Sequence, residues 1–229
     1  LDGPASLPTT SLWRCRSLPV QESHSMSRYT GPRVKVMRAL GVDLPGLSRK
    51  TIERRPYAPG QHGQNRRKKM SDFAKQLKEK QKLRLNYGLG EVQFRRLVSA
   101  SRASKMAAGD KLLELLERRL DNAVFRAGFA PTIPAARQLV THGHFTVNGR
   151  CVDRASFSVN PGDVIRPRER SLQLETLHTS LGNMSLSRPE WIEFDPKKLT
   201  ARVKSVPTGD SVPFPVDVQL VIEYYSKRM

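Results

Sequence analysis

Few side chains in this sequence are of types that do chemistry. His62, His142 and His144 could act as catalytic bases or metal ligands, but no carboxylate or cysteine stands at ligand spacing from them. We therefore expect hydrogen-bonding roles for these histidines, within loops or toward a bound partner. Cys15 and Cys151 are too few for a disulfide framework or a four-cysteine zinc site, which favours a reducing compartment. We interpret Cys151 as a small apolar strand residue and predict no catalytic residue, no metal and no cofactor.

Cationic side chains are the main chemical feature of the chain. Its 229 residues carry 40 Lys plus Arg against 21 Asp plus Glu, a net charge of +19. Because cations placed near phosphates release condensed counterions, this charge favours a polyanionic partner such as RNA. Residues 28–84 hold 17 basic and 4 acidic side chains, whereas residues 171–229 hold 7 of each. The strongest positive footprint is thus N-terminal, with a solvated charged surface or basic tail as the alternative.

The elements that must position these cations are clearest in the middle of the chain. Apolar residues recur at spacings of three and four from Leu112 to Val124, the pattern of a helix with one buried face. On this helix Arg118, Arg119 and Arg126 fall largely off the apolar face. The pattern predicts one amphipathic helix with its arginines exposed.

A second helix and a hairpin are predicted next. Thr132 is a plausible N-cap ahead of Pro134, and Gly143 is placed to end the helix. Apolar and polar residues then alternate around Asn148-Gly149, a dipeptide that favours the positive backbone angles of a two-residue turn. The sequence therefore predicts helix, helix and hairpin in order.

A basic segment precedes these elements. Repeated Pro and Gly between Gly31 and Gly60 oppose regular structure there, and Ser71 can cap a following helix. In that helix, apolar side chains at intervals of four from Phe73 to Leu85 are predicted to pack on protein, which leaves the lysines to face phosphates.

The C-terminal part reads as strands and loops. Gly162-Asp163 suits a turn into a strand, and alternation near Val218 predicts another strand close to the end. Trp191, Phe194, Tyr224 and Tyr225 are predicted to anchor the core or a subunit interface. No run approaches the roughly 18 consecutive apolar residues of a membrane span, and we expect no membrane partner.

The central elements resemble a known RNA-binding module. LDN in the first helix, ARQLV in the second and HGHFTVNGR in the hairpin are similar to the module named after small ribosomal subunit protein number four. Related modules occur in pseudouridine synthases, some aminoacyl-tRNA synthetases and heat-shock RNA binders. The module therefore implies RNA binding, but it does not identify which class of protein carries it.

The flanking segments extend the resemblance from Met26 to the C-terminus. MSRYTGPR, PGQHG and EKQKLR with NYGL occur in the order seen in the bacterial or plastid family of small ribosomal subunit protein number four. We expect an α+β fold with an irregular basic N-terminal arm, a helical domain, an inserted module of two helices plus β-hairpin, and a mixed strand and loop C-terminal tail. The expected bounds are 26–70 for the arm, 71–116 for the helical domain with a return of 171–229, and 117–170 for the module.

The resemblance also implies a function. Family members are structural constituents of the small ribosomal subunit that bind its rRNA, nucleate assembly of the 5′ domain, lie near the mRNA entrance channel and contribute to translational accuracy. Implied partners are small-subunit rRNA, mRNA and small-subunit proteins number five and number three. The alternatives are an RNA-modifying enzyme, for which no second domain fits, and a free-standing translational or stress regulator.

Matching the family motifs residue by residue implies the contacts. Arg66, Arg67, Lys68 and Lys69 match the segment associated with the mRNA entrance. Residues implied to contact rRNA are Arg28, Tyr29, Arg33, Gln61, His62, Lys75, Lys78, Lys82, Arg84, Arg118, Arg119, Asn122, Arg137, Gln138, His142, Asn148 and Arg150.

Some of these assignments have alternatives. Tyr29 either stacks on a base or packs locally, and Asn122 either touches RNA or caps or cross-links helices through its amide. The first role of Asn148 is to form the hairpin turn with Gly149. Some family members carry zinc-binding cysteines in the arm, but Val34 and Val36 stand there in this chain, so we predict no zinc.

Two segments depart from the family pattern. Residues 1–25 are rich in Ser, Pro and Thr and precede Met26, which looks like a natural start. We interpret them as an upstream in-frame read-through or a cloning remnant without structure. A targeting segment is the alternative, and it would move the expected location from the cytoplasmic ribosome to a plastid or mitochondrial one. Residues 172–187 lack the lysine-rich helix expected there, which leaves their contacts open.

Overall fold

The computed structural model describes residues 29–65 and 69–226. Residues 1–25, Arg28 and three of the predicted mRNA-entrance cations, Arg66, Arg67 and Lys68, lie outside the described residues. The helices and strands over the described part are, in chain order, α1 (Arg33–Leu40), α2 (Asp72–Asn86), α3 (Glu91–Arg102), α4 (Ala108–Glu117), α5 (Leu120–Ala127), α6 (Ile133–Thr141), β1 (Phe145–Val147), β2 (Arg150–Cys151), β3 (Val164–Pro167), α7 (Glu175–Gly182), β4 (Ile192–Asp195), β5 (Thr200–Val203) and α8 (Val218–Ser226).

The α+β fold predicted from the sequence is confirmed. Its five strands form one antiparallel sheet in the order β2-β1-β3-β5-β4. Ile165, in the central strand, pairs with Val147 on one side and Ala201 on the other, and all three are buried. The C-terminal strands β4 and β5 therefore complete the sheet that the module's hairpin begins.

The helices pack in pairs around a continuous core. Helix α2 packs on α8, α3 on α4, and α5 on α6. The rings of Phe94 and Tyr225 lie 6.0 Å apart between α3 and α8, and Phe129 packs 5.4 Å from Phe145 where the helices meet the sheet. In the described part of the chain, no helix is both long and apolar enough to cross a bilayer.

The predicted helix caps and hairpin turn are confirmed. The Ser71 side chain accepts a hydrogen bond from the Ala74 backbone N–H (3.3 Å), and Thr132 accepts one from Ala135 (3.4 Å). Asn148 and Gly149 have φ of +51° and +77°, as the tight turn between β1 and β2 requires. The cap bonds and the turn angles have signals in neighbouring residues of the sequence.

The single amphipathic helix expected from Leu112 to Val124 is wrong, because α4 ends at Glu117 and α5 begins at Leu120. The distant segment 155–159 supplies the reason. Val159 donates its N–H to the Arg118 carbonyl (2.8 Å), and Leu120 donates to the Phe157 carbonyl (2.8 Å). These bonds replace helical ones and break the helix.

The break also changes the environment of the arginines. Arg119 and Arg126, expected on an exposed face, are only 6% and 5% exposed. The expectation that these two side chains point to solvent is therefore wrong.

The strand expected near Val218 is also wrong, because this segment is α8. Asp217 caps the helix by accepting from the N–H groups of Gln219 (3.0 Å) and Leu220 (3.3 Å). Val221 and Tyr225, four residues apart, are then buried together. Trp191 and Tyr225 are core residues as predicted, each 3% exposed, and Phe194 and Tyr224 are partly buried.

The predicted apolar face of α2 is not the face that is buried. Phe73 is 49% exposed, whereas Lys80 is 4% and Leu83 0% exposed. Helices α3 and α8 explain this choice. Lys80 donates to Glu91 on α3 (2.8 Å), and the Tyr224 ring of α8 lies 4.9 Å from the Lys80 ammonium. Glu223 on α8 accepts from the Gln76 side chain (3.1 Å). A charge partner and an aromatic face let polar residues take the buried positions.

Regular structure in the arm is limited. The short helix α1 ends at Leu40 and is capped by Gly41, whose φ of +64° is left-handed; residues 42–65 run through turns. The divergent segment 172–187 contains α7, which has no lysine.

Candidate nucleic-acid interface

A buried ionic cluster fixes the module against the preceding helices. Asp121, at the start of α5, is 0% exposed and accepts hydrogen bonds from two arginines. Arg119 donates through Nε (3.1 Å) and Nη2 (2.8 Å), and Arg137 on α6 donates through the same atoms at the same distances. Arg137 also donates Nη1 to the Gly88 carbonyl (2.7 Å). We call these four residues the Asp121 cluster.

A second cluster surrounds the buried carboxylate of Glu117. The Tyr87 hydroxyl donates to Glu117 Oε1, Asn122 Nδ2 donates to Oε2 (3.0 Å), and Arg126 Nε lies 3.3 Å from Oε2. Burial, followed by the negative charge of Glu117, raises the pKa of Tyr87 well above its ordinary value, so the phenol remains a donor. Arg126 also donates to the Ser211 carbonyl.

These clusters bear directly on three of the predicted rRNA contacts. Arg119 and Asn122 are 6% and 1% exposed, and Arg137 directs its donors to Asp121 and Gly88. The geometry gives Asn122 the cross-linking role, and it does not support RNA contact for Arg119 or Asn122. The physical reason is that a buried carboxylate needs donors, and these side chains supply them.

The predicted basic helix α2 also divides into inner and outer cations. Lys82 is 8% exposed and donates to Glu79 (2.6 Å), so RNA contact by Lys82 is not supported by this geometry. Lys75 is exposed beside Asp72 (2.9 Å), and Lys78 is partly exposed. Arg84 is partly exposed and donates to Gln81 (2.9 Å).

Other predicted contacts lie on the surface. In the arm and the loop before α2, Arg33, Gln61, His62 and Lys69 are exposed, and Tyr29 is 46% exposed. In the module the exposed members are Gln138, His142, Asn148 and Arg150. Arg118 is partly buried and donates to Glu114 (2.9 Å) and to the Val159 carbonyl (2.9 Å).

The remaining histidine of the module faces inward. His144 Nδ1 lies 2.9 Å from the Ser171 hydroxyl, and its ring centroid is 6.1 Å from that of His142. Burial, with the charges of His142 and Arg168, lowers the pKa of His144, so the neutral imidazole is favoured. Among residues 29–65 and 69–226, no group of three or more His, Cys, Asp or Glu is placed to hold a metal ion.

Sequence reasoning missed a basic surface on the open side of the sheet. Arg166 stands opposite Thr146, and Arg202 pairs with Val164, two residues from Arg166 on the same face. Both arginines are exposed, and their guanidinium groups form no hydrogen bond or ion pair with the rest of the described chain. We call Arg166 and Arg202 the sheet-face arginines.

A groove of about 610 Å³ runs along this face beside Arg166 and Arg170. The alternation of buried Ile165 and Pro167 with exposed Arg166 could have identified the face from sequence. The position of β5 in the same sheet had no local signal.

A second concave surface lies between the arm and the module. This cleft, about 540 Å³, has an apolar floor that includes Leu85 and Leu89. Five of the predicted contacts meet on its walls: Tyr29, Arg33, Arg84, Arg137 and Gln138. We call it the arm cleft.

The fold carries exposed arginine side chains without partners in the described chain on a frame held by buried ion pairs. These features are typical of a nucleic-acid-binding protein that acts through surface contact. Comparison with known proteins specifies the family. Residues 28–117 match the model of the ribosomal protein S4/S9 N-terminal domain, and residues 118–165 match the model of the S4 domain. The chain belongs to the uS4 family of small ribosomal subunit proteins.

Individual relatives agree with this membership. The chain is 58% identical over 205 residues to small ribosomal subunit protein uS4 of Methylobacillus flagellatus, and 57% identical over 205 residues to uS4B of Nitrosomonas europaea. It is 53% identical over 204 residues to uS4 of Nostoc punctiforme. Each match covers 89% of this chain and 100% of the relative.

Proposed function

We propose that this chain is a structural constituent of the small ribosomal subunit that binds its rRNA and nucleates assembly of the 5′ domain. The observation that carries the proposal is the contrast between two sets of cations. Arg119, Arg126 and Arg137 pair with carboxylates inside the fold, whereas the side chains of the sheet-face arginines have no partner in the described chain. The sheet-face arginines are available to phosphates, and the three inner arginines stabilise the fold that carries them.

The proposed mechanism is electrostatic and geometric rather than chemical. Each cation near a phosphate releases counterions and adds affinity. The Asp121 cluster prevents α6 from moving against the helices before it, so cations on the two parts keep a fixed spacing. A rigid array of this kind favours RNA helices that already converge at the matching angle, which is recognition by shape.

Two finer roles are part of the proposal. The cations Arg66 to Lys69 lie near the mRNA entrance and help to separate structured mRNA; their sequence and the exposure of Lys69 support this role. The C-terminal region contacts small-subunit protein number five, with number three nearby, and loss of the first contact alters translational accuracy. The proposed location is the cytoplasmic ribosome, with an organellar ribosome as the alternative if residues 1–25 are a targeting segment.

Reconstitution of the small subunit tests the proposal. Particles are assembled from rRNA and small-subunit proteins with this chain omitted, present, or present as the double variant Arg166→Gln/Arg202→Gln. The measurement is the rate at which 5′-domain nucleotides become protected from hydroxyl radicals. We expect slow protection on omission and an intermediate rate with the double variant.

A matched control removes the same charge elsewhere. Lys197→Gln/Lys198→Gln neutralises two exposed lysines in the turn between β4 and β5, and it should leave the protection rate near that of the unchanged chain. Equal rates with and without the chain would refute a nucleating role. Equal losses in the two double variants would mean that overall charge, and not the sheet face, determines binding.

A further inference from the structure

We infer that the arm cleft holds one unstacked nucleotide of the bound RNA, with its base over the apolar floor and its phosphate at the arginine rim. This inference rests on the proposed function and deepens it, because it assigns a specific ligand to a specific cleft. The sheet-face arginines require only a phosphate surface. The arm cleft combines three kinds of contact, two of which a phosphate surface does not need.

The first kind of contact is apolar. Leu85, Leu89 and Ile133 line the floor, and Leu89 and Ile133 are 4% and 1% exposed. A duplex presents phosphates and ribose to a protein, and neither is matched by a leucine floor. A nucleobase taken out of its stack is flat and largely apolar on its faces, and burial of such faces is favourable.

The second kind of contact is an aromatic ring and an amide on the walls. Tyr29 is 46% exposed, and its hydroxyl makes only a long hydrogen bond of 3.4 Å to the Pro32 carbonyl within the described chain. Its ring is held close to the backbone at Gly31, where an added Cβ would lie 2.7 Å from the Tyr29 hydroxyl. Gln138 is exposed, and its side-chain amide has no hydrogen-bond partner in the described chain. A ring that can stack and an amide that can both donate and accept suit the face and the edge of a base.

The third kind of contact is positive charge at the rim. Arg33 is exposed and makes one long bond, from Nη1 to the Leu47 carbonyl (3.4 Å). Arg84 uses Nε for Gln81 (2.9 Å), and its nearest carboxylate oxygen, on Glu91, is 3.7 Å away. Both guanidinium groups therefore retain donors for a phosphate, which they can bind through two parallel bonds. Arg137, the remaining arginine of the cleft, fixes the wall through the Asp121 cluster.

The cleft is the right size and its floor is fixed. About 540 Å³ falls within the roughly 300–1,000 Å³ of pockets that enclose one small molecule, and it is far too small for a duplex. The arm is tied to α6 because Ile133 donates its N–H to the Gly46 carbonyl (2.8 Å). Gly46 in turn donates to Asn86 Oδ1 (3.0 Å). A side chain at position 46 would meet Ile133 Cδ1 at 2.6 Å, so glycine permits this close approach.

A double-mutant cycle between protein and RNA tests the inference. The RNA is a small-subunit rRNA 5′-domain fragment with single abasic substitutions at its unpaired positions, and the protein is the full chain or its Tyr29→Ala variant. We expect Tyr29→Ala to weaken binding of intact RNA roughly 5- to 100-fold, the loss typical when a base loses its aromatic partner. One abasic RNA should bind the unchanged chain with a similar loss, and combining both changes should add almost nothing.

Control variants and a cross-link sharpen the result. Tyr57→Ala removes an exposed tyrosine outside the cleft and is the control for Tyr29→Ala. Gln138→Ala is tested in the same cycle, with exposed Gln173→Ala as its control. Neither control should couple to the same abasic position. With a photoactivatable base at that position, the cross-linked peptide should contain Tyr29 or Gln138. Independent losses at every abasic position would overturn the inference, as would a cross-link elsewhere.

Two other outcomes identify other occupants. If adenosine monophosphate binds the full chain in this cleft and no abasic position couples to Tyr29, the ligand is a free nucleotide and the inference about RNA is wrong. If Tyr29→Ala lowers the melting temperature without coupling to RNA, the ring packs locally and the inference is again wrong. Failure of the proposed function can be distinguished from failure of this inference. If the proposed function is wrong, the unchanged chain binds the 5′-domain fragment and a scrambled RNA equally.

Discussion

Arg137 on α6 and Asp121 on α5 form a charge pair inside the protein, with Nε and Nη2 of the arginine 3.1 and 2.8 Å from one carboxylate oxygen. The Asp121 side chain is 1% exposed and that of Arg137 is 17% exposed. Because Arg137 also bonds the Gly88 carbonyl, the pair joins the module to the turn before α3. Orientation between the two parts therefore depends on hydrogen bonds with defined directions as well as on apolar packing.

Removing the charge of Asp121 should destabilise the protein strongly. Asp121→Asn leaves the buried Arg119 and the partly buried Arg137 without their anion, and breaking a buried pair typically costs about 3–5 kcal/mol. Urea denaturation of the full chain measures the free energy of unfolding. Glu193→Gln is the control, since its partner Lys204 lies 3.7 Å away in a pair about half exposed, for which we expect at most about 1 kcal/mol. Similar losses for the two variants would contradict a structural role for the Asp121 cluster.

The stability of the protein should depend on acid pH through Glu114. Burial tends to raise the pKa of Glu114, but hydrogen bonds from Lys111 (2.8 Å) and Arg118 (2.9 Å) outweigh burial and lower it from 4.5. A carboxylate with a lowered pKa stabilises the fold at neutral pH, and this contribution is lost as pH falls below the unfolded value and through the folded one.

Glu114→Gln should therefore have a lower melting temperature than the unchanged chain at pH 7, with the difference shrinking below about pH 5. Thermal unfolding of both chains from neutral to acid pH measures it. Glu91, whose pKa is also lowered, titrates in both chains and cancels in the difference. A difference that stays constant with pH would show that the Glu114 charge contributes nothing.

Asn148 should stabilise the hairpin both through its backbone angle and through its side chain. Its φ is +51°, its Nδ2 donates to Asp163 (2.8 Å), and its Oδ1 accepts from the Val164 N–H (2.9 Å). Asn148→Ala loses the bonds and strains the backbone, and we expect a loss of about 1–2 kcal/mol. Asn148→Gly keeps the angle accessible and should lose less. Chemical denaturation compares them, and equal stability of all three chains would be inconsistent with this account.

The sheet-face arginines should set part of the salt dependence of RNA binding. Each phosphate contact removed lowers the slope of log affinity against log salt by about 1. Arg166→Gln/Arg202→Gln should therefore weaken binding and flatten the slope by about 2, with melting temperature unchanged because neither side chain has a partner in the described chain. Filter binding over a salt series measures the slope. A slope equal to that of the unchanged chain would exclude phosphate contact by this face.

How far the sequence predicts the structure depends on the range of the interactions. Ser71, Thr132 and the Asn148-Gly149 turn act on neighbours within a few residues, and all three predictions hold. The break between α4 and α5 depends on backbone bonds from residues 157 and 159, about forty residues away, and no local pattern indicates it.

The same limit applies to the candidate site. The sequence shows that a residue is an arginine, but not whether the fold places a buried carboxylate beside it. Arg119 and Arg150 therefore look equally exposed in the sequence, although Asp121 pairs with Arg119 in the structure. In α8, alternation of apolar residues favoured a strand, and the capping signal of Asp217 was the better guide.

The central claim is that this chain recognises the shape of small-subunit rRNA, and competition binding tests it most directly. The full chain is titrated with a 5′-domain rRNA fragment and with a scrambled RNA of equal length over a series of salt concentrations. We predict that affinity for both falls with salt while the preference for the 5′-domain fragment persists, because shape recognition remains when charge is screened. Equal binding and simultaneous release of the two RNAs would contradict the account.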